Sequence, residues 1–308
     1  MKYPTAIIGL GKIGLTYDLN LEGDKVSNQV KTHCRSVSLS EYFKIALLFD
    51  INPIAVKLAT AQYGGQGFQN LTDALEQEKP ELAIVSVPTH AHLKTIRDIN
   101  HIWTPSTYLI EKPFGYSTYE AEVMSEILYE QDCIVYVNYM RRYLPNVINL
   151  KASELFKERG ALRSVKILGY GTLVNVFSHF FDLLIFLEGA HILGLSKKII
   201  KQKTNSNYKF IEPSNGVYFE FSGIGKTVQE CEMFLEYDSL KVNMLLNGKV
   251  LKIYDHGGLV LGTFEVNDLV FDSYQSFVLN QIATDIELKN SNNCIFDAIH
   301  IHKFIESI

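Results

Sequence analysis

The residues with the plainest chemical meaning are three glycines near the N-terminus. Residues 9–14 read Gly9-Leu10-Gly11-Lys12-Ile13-Gly14, the spacing G-x-G-x-x-G, and an apolar run leads straight into them. At that spacing the first glycine permits a tight turn, the second lets backbone approach a pyrophosphate, and the third lets a helix pack close on a strand. Glycine-rich turns also join strands to helices without any ligand, so it is the flanking strand-to-helix pattern that gives the hexamer its meaning. A carboxylate ending the next strand would accept hydrogen bonds from an adenosine ribose, and Asp50 holds that place. It stands 36 residues beyond Gly14, against the roughly 20 usual for a dinucleotide site. The excess falls in a polar stretch, Tyr17–Lys31, that reads as a loop inserted into the first crossover. Because Asp50 would repel a 2′-phosphate, the predicted cofactor is NAD rather than NADP, with Lys12 or Arg35 able to reverse that preference.

A nicotinamide cofactor implies hydride transfer, and carbonyl–alcohol chemistry then needs a proton carrier and a donor to the developing oxyanion. Lys112 follows the fifth strand-like run, which places it at the carboxyl edge of a parallel sheet, where ligands bind. It is the candidate donor to the substrate oxygen or the nicotinamide ribose. Glu111 could fix Lys112 or contact the ribose, and an ordinary surface charge pair is the plain alternative. His179 is the acid/base candidate, because imidazole titrates near neutrality; a hydrogen-bonded core histidine is its alternative. Asn175 lies four residues earlier and so shares a helical face with it.

These residues must be held by elements that the hydrophobic pattern outlines. Apolar runs at Tyr3–Gly9, Phe43–Asp50, Gln66–Gln69, Leu82–Pro88, Thr107–Glu111 and Cys133–Tyr139 predict strands. Helical patterns at Pro53–Tyr63, Thr72–Glu78, His90–Asn100 and Ser117–Gln131 separate them, the last with a capping box from Ser117 to Glu120. Continuous apolar strands alternating with helices predict an α/β class, a doubly wound parallel sheet over residues 1–143. Beyond Arg142 the texture changes. A helix is predicted over Pro145–Arg159, a strand over Leu162–Gly169 and a very apolar helix over Ser178–Leu187. From His191 to about Val270 strand-like runs follow one another, among them Gly216–Phe221, Phe234–Tyr237 and Val250–Tyr254, and Phe296–Ile305 closes the chain as a helix. Residues 144–308 are thus predicted to be an α+β domain with a large, mainly antiparallel open sheet.

Composition narrows the function classes. Of 308 residues, 29 are Lys or Arg and 34 Asp or Glu, a net charge of −5 with no long basic run, so nothing supplies a nucleic-acid footprint or a reason to seek anionic membranes. The longest apolar stretch, Leu173–Leu187, carries Asn175, His179 and Asp182 and is too short and polar to span a bilayer. Cys34, Cys133, Cys231 and Cys294 are scattered, and neither His90/His92 nor His300/His302 sits with other ligands at metal spacing. The expectation is a cytoplasmic protein with reduced thiols and no metal.

Five motifs in order resemble the Gfo/Idh/MocA family of oxidoreductases: GLGKIG; Pro88-Thr89-His90-Ala91-His92 as P-x-x-x-H; Glu111-Lys112-Pro113 as EKP; Arg142-Tyr143-Leu144-Pro145 as R-[FY]-x-P; and the run from Asn175 to Asp182 as D-x-x-x-H-x-x-D. The resemblance spans residues 1 to about 190. It implies a Rossmann domain followed by an open sheet, with the active site between them. It also implies a polyhydroxylated substrate (a sugar, cyclitol or sugar nucleotide) and a homodimer or homotetramer associating through the sheet. By the same resemblance Pro88, Thr89 and His92 line or cap the cofactor crevice, and Arg142 and Tyr143 lie near the nicotinamide, a solvated arginine being the alternative. A cis Lys112–Pro113 bond would aim the lysine inward. Asp182 could orient His179 or form a helix-surface hydrogen bond, and His33 is an outside candidate for substrate contact. The sequence departs from the family at Asn175, where an aspartate is usual. Asparagine can exchange hydrogen bonds with a hydroxyl but cannot take its proton. That departure keeps two alternatives in view, a catalytically retired dinucleotide-binding sensor and an NAD-dependent glycoside hydrolase.

Overall fold

The structure, a computed structural model, describes residues 2–19, 29–77, 79–195, 199–203, 207–212, 214–223, 230–290 and 294–308. The chain divides into two compact units, Met1–Met140 with Asp272–Ile299 and Arg141–Phe271 with His300–Ile308.

In the first unit six strands, β1 (Tyr3–Ile8), β2 (Phe43–Phe49), β3 (Gln66–Phe68), β4 (Leu82–Val85), β5 (Thr107–Ile110) and β6 (Ile134–Val137), form one sheet in the order β3-β2-β1-β4-β5-β6. Every pairing is parallel. Ala6, Ile7, Ile8, Leu47, Leu48 and all of Leu82–Val85 are buried, as strands covered on both faces must be. Strand order reverses between β1 and β4, so their carboxyl ends open a crevice. The helices are α1 (His33–Leu39), α2 (Pro53–Tyr63), α3 (Leu71–Gln77), α4 (His92–Ile102) and α5 (Thr118–Glu130). Ser117 caps α5 through the Glu120 N–H at 3.2 Å, while Glu120 reaches back to the N–H of Tyr116, one residue before the cap, at 3.2 Å. Asn70, rather than Thr72, caps α3, and the expected final residue of that helix, Glu78, lies outside the described residues. α4 begins at His92 because Thr89–Ala91 form a 3₁₀ turn after Pro88.

The second unit opens with two short helices, α6 (Pro145–Ala152) and α7 (Glu154–Lys157), where one was expected. Ser153 is extended and its hydroxyl accepts from the Phe156 N–H, so it stops one helix and caps the next. β7 (Leu162–Leu168) and α8 (Ser178–Glu188) follow, with a π-type turn at Leu173–Phe177 leading into α8. β8 (Ile199–Lys203), β9 (Asn207–Ile211), β10 (Tyr218–Ser222), β11 (Glu232–Tyr237), β12 (Lys241–Leu245), β13 (Val250–Tyr254) and β14 (Val260–Glu265) complete a sheet ordered β14-β13-β12-β11-β7-β10-β9-β8. It is antiparallel except between β7 and β10. Its inner face, with Val165, Ile167, Phe219, Phe221, Met233 and Leu235, is buried, and Phe177 and Phe181 from the α8 side meet Phe221 at ring-centroid distances of 6.1 and 5.2 Å.

After α9 (Asp268–Phe271) the chain returns to the first unit as α10 (Tyr274–Leu288), a helix that packs beside α1 and that the strand-like texture up to Val270 did not announce. α11 (Ile295–Ser307) closes the chain. A single boundary after Tyr143 has no place for this return.

Candidate functional site

The glycine turn does three different jobs. Gly9 has a φ of +102°, and a Cβ there would sit 2.6 Å from the backbone of Ser86 and Val87, so β1 and β4 approach closely only because it is glycine. A Cβ on Gly14 would lie 2.1 Å from the Gly9 carbonyl oxygen. At Gly11 a Cβ would meet nothing within 4 Å, because that position faces an open cleft. The cleft, about 800 Å³, runs along the carboxyl ends of the strands, lined by Gly9, Gly11, Lys12 and Ile13, by Asp50 and Ile51, by Ser86–Ala91 and by Glu111 and Lys112. Pro88 and Thr89 line this cleft, whereas the Leu10 side chain is buried away from it.

Asp50 reaches both the turn and the cleft. One carboxylate oxygen accepts from the Leu10 N–H at 2.7 Å and the other from the Asn52 N–H at 2.8 Å. A carboxylate there can take ribose hydroxyl donors on its remaining lone pairs. The open cradle at Gly11, backbone on either side of it and a carboxylate at the β2 edge together fit a dinucleotide.

The sequence reading differs from the structure just after the turn, where a helix was expected to follow Gly14 directly. Only one turn forms: the N–H groups of Leu15 and Tyr17 bond to the carbonyls of Gly11 and Lys12, and a 3₁₀ turn at Thr16–Asp18 ends it. The next two carbonyls, of Ile13 and Gly14, accept from His33 and Cys34 at 3.0 Å each. The helical ladder is therefore interrupted and resumed, with residues 15–32 spliced into it. Buried Asp18 ties the ends of the splice, accepting from the N–H groups of Lys31 and Thr32 and from the Thr32 hydroxyl. Residues 20–28 of the expected insert lie outside the described residues.

At the end of β5 the Lys112–Pro113 bond is cis and Lys112 lines the cleft. Glu111 is 12 % exposed and its carboxylate is held from three sides: His33 Nε2 at 2.9 Å, Asn138 Nδ2 at 2.5 Å and the Lys112 N–H at 3.3 Å. Burial alone would raise the Glu111 carboxyl. The hydrogen bond from His33, then Asn138 and Lys112, outweigh it and hold the group below the usual carboxylate range. Asn138 in turn donates to Gln275 of α10 at 3.2 Å. His33 is fully buried in this network, which removes it as a substrate contact. His92 is also fully buried and does not line the cleft. Its ring nitrogens meet the carbonyls of Val87 and Phe114 at 3.0 Å, so it latches the loop after β4 to the loop after β5.

In the second unit, Asn175 is exposed on the π-type turn and His179 is half-buried four residues on. Asp182 is fully buried and receives the Arg142 guanidinium through Nε at 2.9 Å and through Nη2. That bidentate pair removes one alternative at each residue: Asp182 is engaged by an arginine rather than standing at the helix surface, and Arg142 is buried rather than solvated. Tyr143 is buried beside it in sequence. The residues that sequence reasoning did not single out are Asn138, Gln275 and Asp18. Asn138 and Gln275 are isolated polar residues whose roles depend on partners far along the chain, and Asp18 is one of many polar residues in the Tyr17–Lys31 stretch; only the Asn-Tyr closing the Cys133–Tyr139 run marks Asn138 as standing at a strand's carboxyl end.

Among the described residues no group of three or more His, Cys, Asp and Glu could hold a metal ion, and no helix is long and apolar enough to cross a membrane.

Residues 4–139 match the model of the Gfo/Idh/MocA oxidoreductase family, NAD-binding Rossmann fold. The rhizopine catabolism protein MocA of Rhizobium meliloti is 24% identical over 188 residues, 56% of this chain, which in that alignment spans 57% of the relative's length. Two solved structures share the fold. The WlbA dehydrogenase from Bordetella pertussis, in complex with NADH and UDP-GlcNAcA, superimposes with a TM-score of 0.74 at 12% identity, covering 100% of this chain and 94% of its own. KijD10, a 3-ketoreductase from Actinomadura kijaniata in complex with NADP, gives 0.72 at 12% identity, covering 100% and 97%.

Proposed function

We propose that this chain, whose residues 4–139 match the model of the Gfo/Idh/MocA oxidoreductase family, is an NAD(H)-dependent oxidoreductase acting on a hydroxyl or ketone of a sugar, cyclitol or sugar nucleotide. The observation that carries this reading is the cleft of the first unit, where the open cradle at Gly11 and the side chain of Lys112 line one cavity. Bound there, the nicotinamide cofactor would give or take the hydride. Lys112 would donate to the substrate oxygen as charge develops on it, with Glu111 held beside it by His33 and Asn138. His179 would take or return the hydroxyl proton, and Asn175 would exchange hydrogen bonds with a neighbouring hydroxyl without drawing a proton from it. Asp50 at the β2 edge favours NAD(H) over NADP(H) by charge; the related structures bind one or the other.

NADH titration followed by a screen of sugars, cyclitols and sugar nucleotides tests the reading, with turnover expected for at least one class. His179→Ala should then lower kcat by about 100-fold or more, the usual scale for losing a general acid or base; turnover at the wild-type rate would remove His179 from the mechanism. Exposed, uncharged Asn175 favours a second reading, a sensor that binds the dinucleotide without chemistry. NADH binding with no turnover, and turnover gained in Asn175→Asp, would support it. Release of free sugar without net NADH would point instead to glycoside hydrolysis.

A further inference from the structure

We propose that His33 is a positioning residue of the cleft, one that joins the glycine turn to Glu111 and makes cofactor binding depend on the ionisation of the Glu111 carboxylate. The inference rests on the cofactor reading above and concerns a residue that contacts neither cofactor nor substrate.

Three observations carry it. His33 belongs to both halves of the cleft: its N–H bonds to the Ile13 carbonyl inside the glycine motif at 3.0 Å, and its Nε2 meets Glu111 Oε1 at 2.9 Å. It owes that place to the splice, since the ladder resumes at His33 with Thr32 as cap and Asp18 as anchor. The second observation fixes the direction of the hydrogen bond. The His33 Nδ1 is buried with no hydrogen-bond partner. A bare lone pair costs less than a bare N–H, so Nε2–H is the donor and the Glu111 carboxylate the acceptor. The third is the opposition between burial and partners at Glu111. Burial is the largest influence on it and favours the neutral acid; the hydrogen bond from His33 is the strongest counterweight. The other charged or titratable groups facing the pair are Lys112 on the same loop, His92 of α4 and Tyr274 of α10, with Asp18 behind Tyr274. Of these only Lys112 also favours the carboxylate, alongside neutral Asn138. Without His33, burial gains the upper hand.

The test uses the full chain with ¹³C-labelled glutamate, Glu111 being assigned by its loss in Glu111→Gln. Its carboxyl titration is followed by NMR, and the NADH dissociation constant is measured across the same pH range, in wild type, His33→Phe and His33→Gln. In wild type Glu111 should titrate below the ordinary range of about 4.3, with NADH affinity flat above it. In His33→Phe the titration should move above that value, and NADH affinity should fall about tenfold per pH unit on the acid side of the new midpoint. His33→Gln, which returns an N–H donor near the Nε2 position, should recover most of the shift. An unmoved Glu111 titration in His33→Phe overturns the proposal, and so does an affinity loss of equal size at every pH, which marks a structural role alone. If His33→Phe does not fold, ¹⁵N shifts of the wild-type ring decide: Nε2–H with bare Nδ1 is required, and the opposite tautomer refutes it. Should wild type not bind NADH at all, the cofactor reading fails while the Glu111 titration still reports on His33.

Discussion

Two glycines of one motif should fail in opposite ways when substituted. Gly11 faces open cleft, so Gly11→Val keeps the fold and fills the space a pyrophosphate would need. The expected result is an unchanged melting temperature and an NADH affinity reduced about 100-fold or more, some 2.7 kcal/mol. Gly14 has the Gly9 carbonyl oxygen 2.1 Å from its missing Cβ, so Gly14→Ala must move backbone and should cost about 1–3 kcal/mol of stability. Denaturant melts and NADH titration separate the two, and equal loss of stability in both variants would contradict the assignment. A pH effect also belongs at this scale. Burial lowers the His92 and His302 rings below the usual imidazole value, against the carbonyls and carboxylates that pull the other way. The unfolded chain therefore binds protons that the folded chain refuses. The stability due to each ring is complete above about pH 6.5 and is lost as the pH falls through the window beneath it. Thermal melts should show stability declining from about pH 7 to about pH 5.5, with a flatter decline in the His92→Gln/His302→Gln variant. An identical slope in both proteins would remove these two histidines as its source.

At the scale of elements, the strands and the glycine turn were legible because their signals are local: apolar runs of strand length, and glycines at fixed spacing. The 36-residue gap to Asp50 also showed that something was inserted. What the sequence could not show was where the ladder resumes, because that depends on His33 and Cys34 bonding to carbonyls at Ile13 and Gly14. The helix of Tyr274–Leu288 was missed for a related reason. Its polar residues Gln275 and Asp285 are buried against Asn138 and Tyr136, and Gln281 bonds to Asp285, so its apolar stripe is broken where it packs. The splice geometry makes a test possible. Replacing residues 15–32 with two helix-forming residues would let His33 follow Ile13 at normal helical spacing and return Asp50 to roughly 20 residues beyond Gly14. The shortened chain should fold and bind NADH within about threefold of wild type, under 1 kcal/mol. Loss of the fold would mean that the insert builds the crossover rather than decorating it.

The whole molecule raises the question of what covers the outer face of the second unit's sheet. Residues alternate along its strands, so while Val165, Met233, Leu235 and Val242 are buried, Lys166, Leu168, Phe234, Glu236 and Asn243 point to the other side. They line a shallow depression of about 350 Å³, with Lys241 and Glu236 paired at 3.3 Å on its rim. An aromatic residue ringed by paired charges of both signs is the composition of an association surface, with the aromatic as anchor and the charges as rim. A second copy of the same face supplies the matching charges, since each Lys can meet a partner's Glu across a two-fold axis. The expected particle in light scattering is thus a multiple of 35.0 kDa. Phe234→Glu places a carboxylate in the centre of the patch and should weaken association by about 30-fold, near 2 kcal/mol for an anchor residue. Because Phe234 faces away from the core, circular dichroism and NADH affinity should stay as in wild type. A wild-type chain that remains at 35.0 kDa at micromolar concentration, or a Phe234→Glu variant that assembles unchanged, would assign the sheet face to solvent instead.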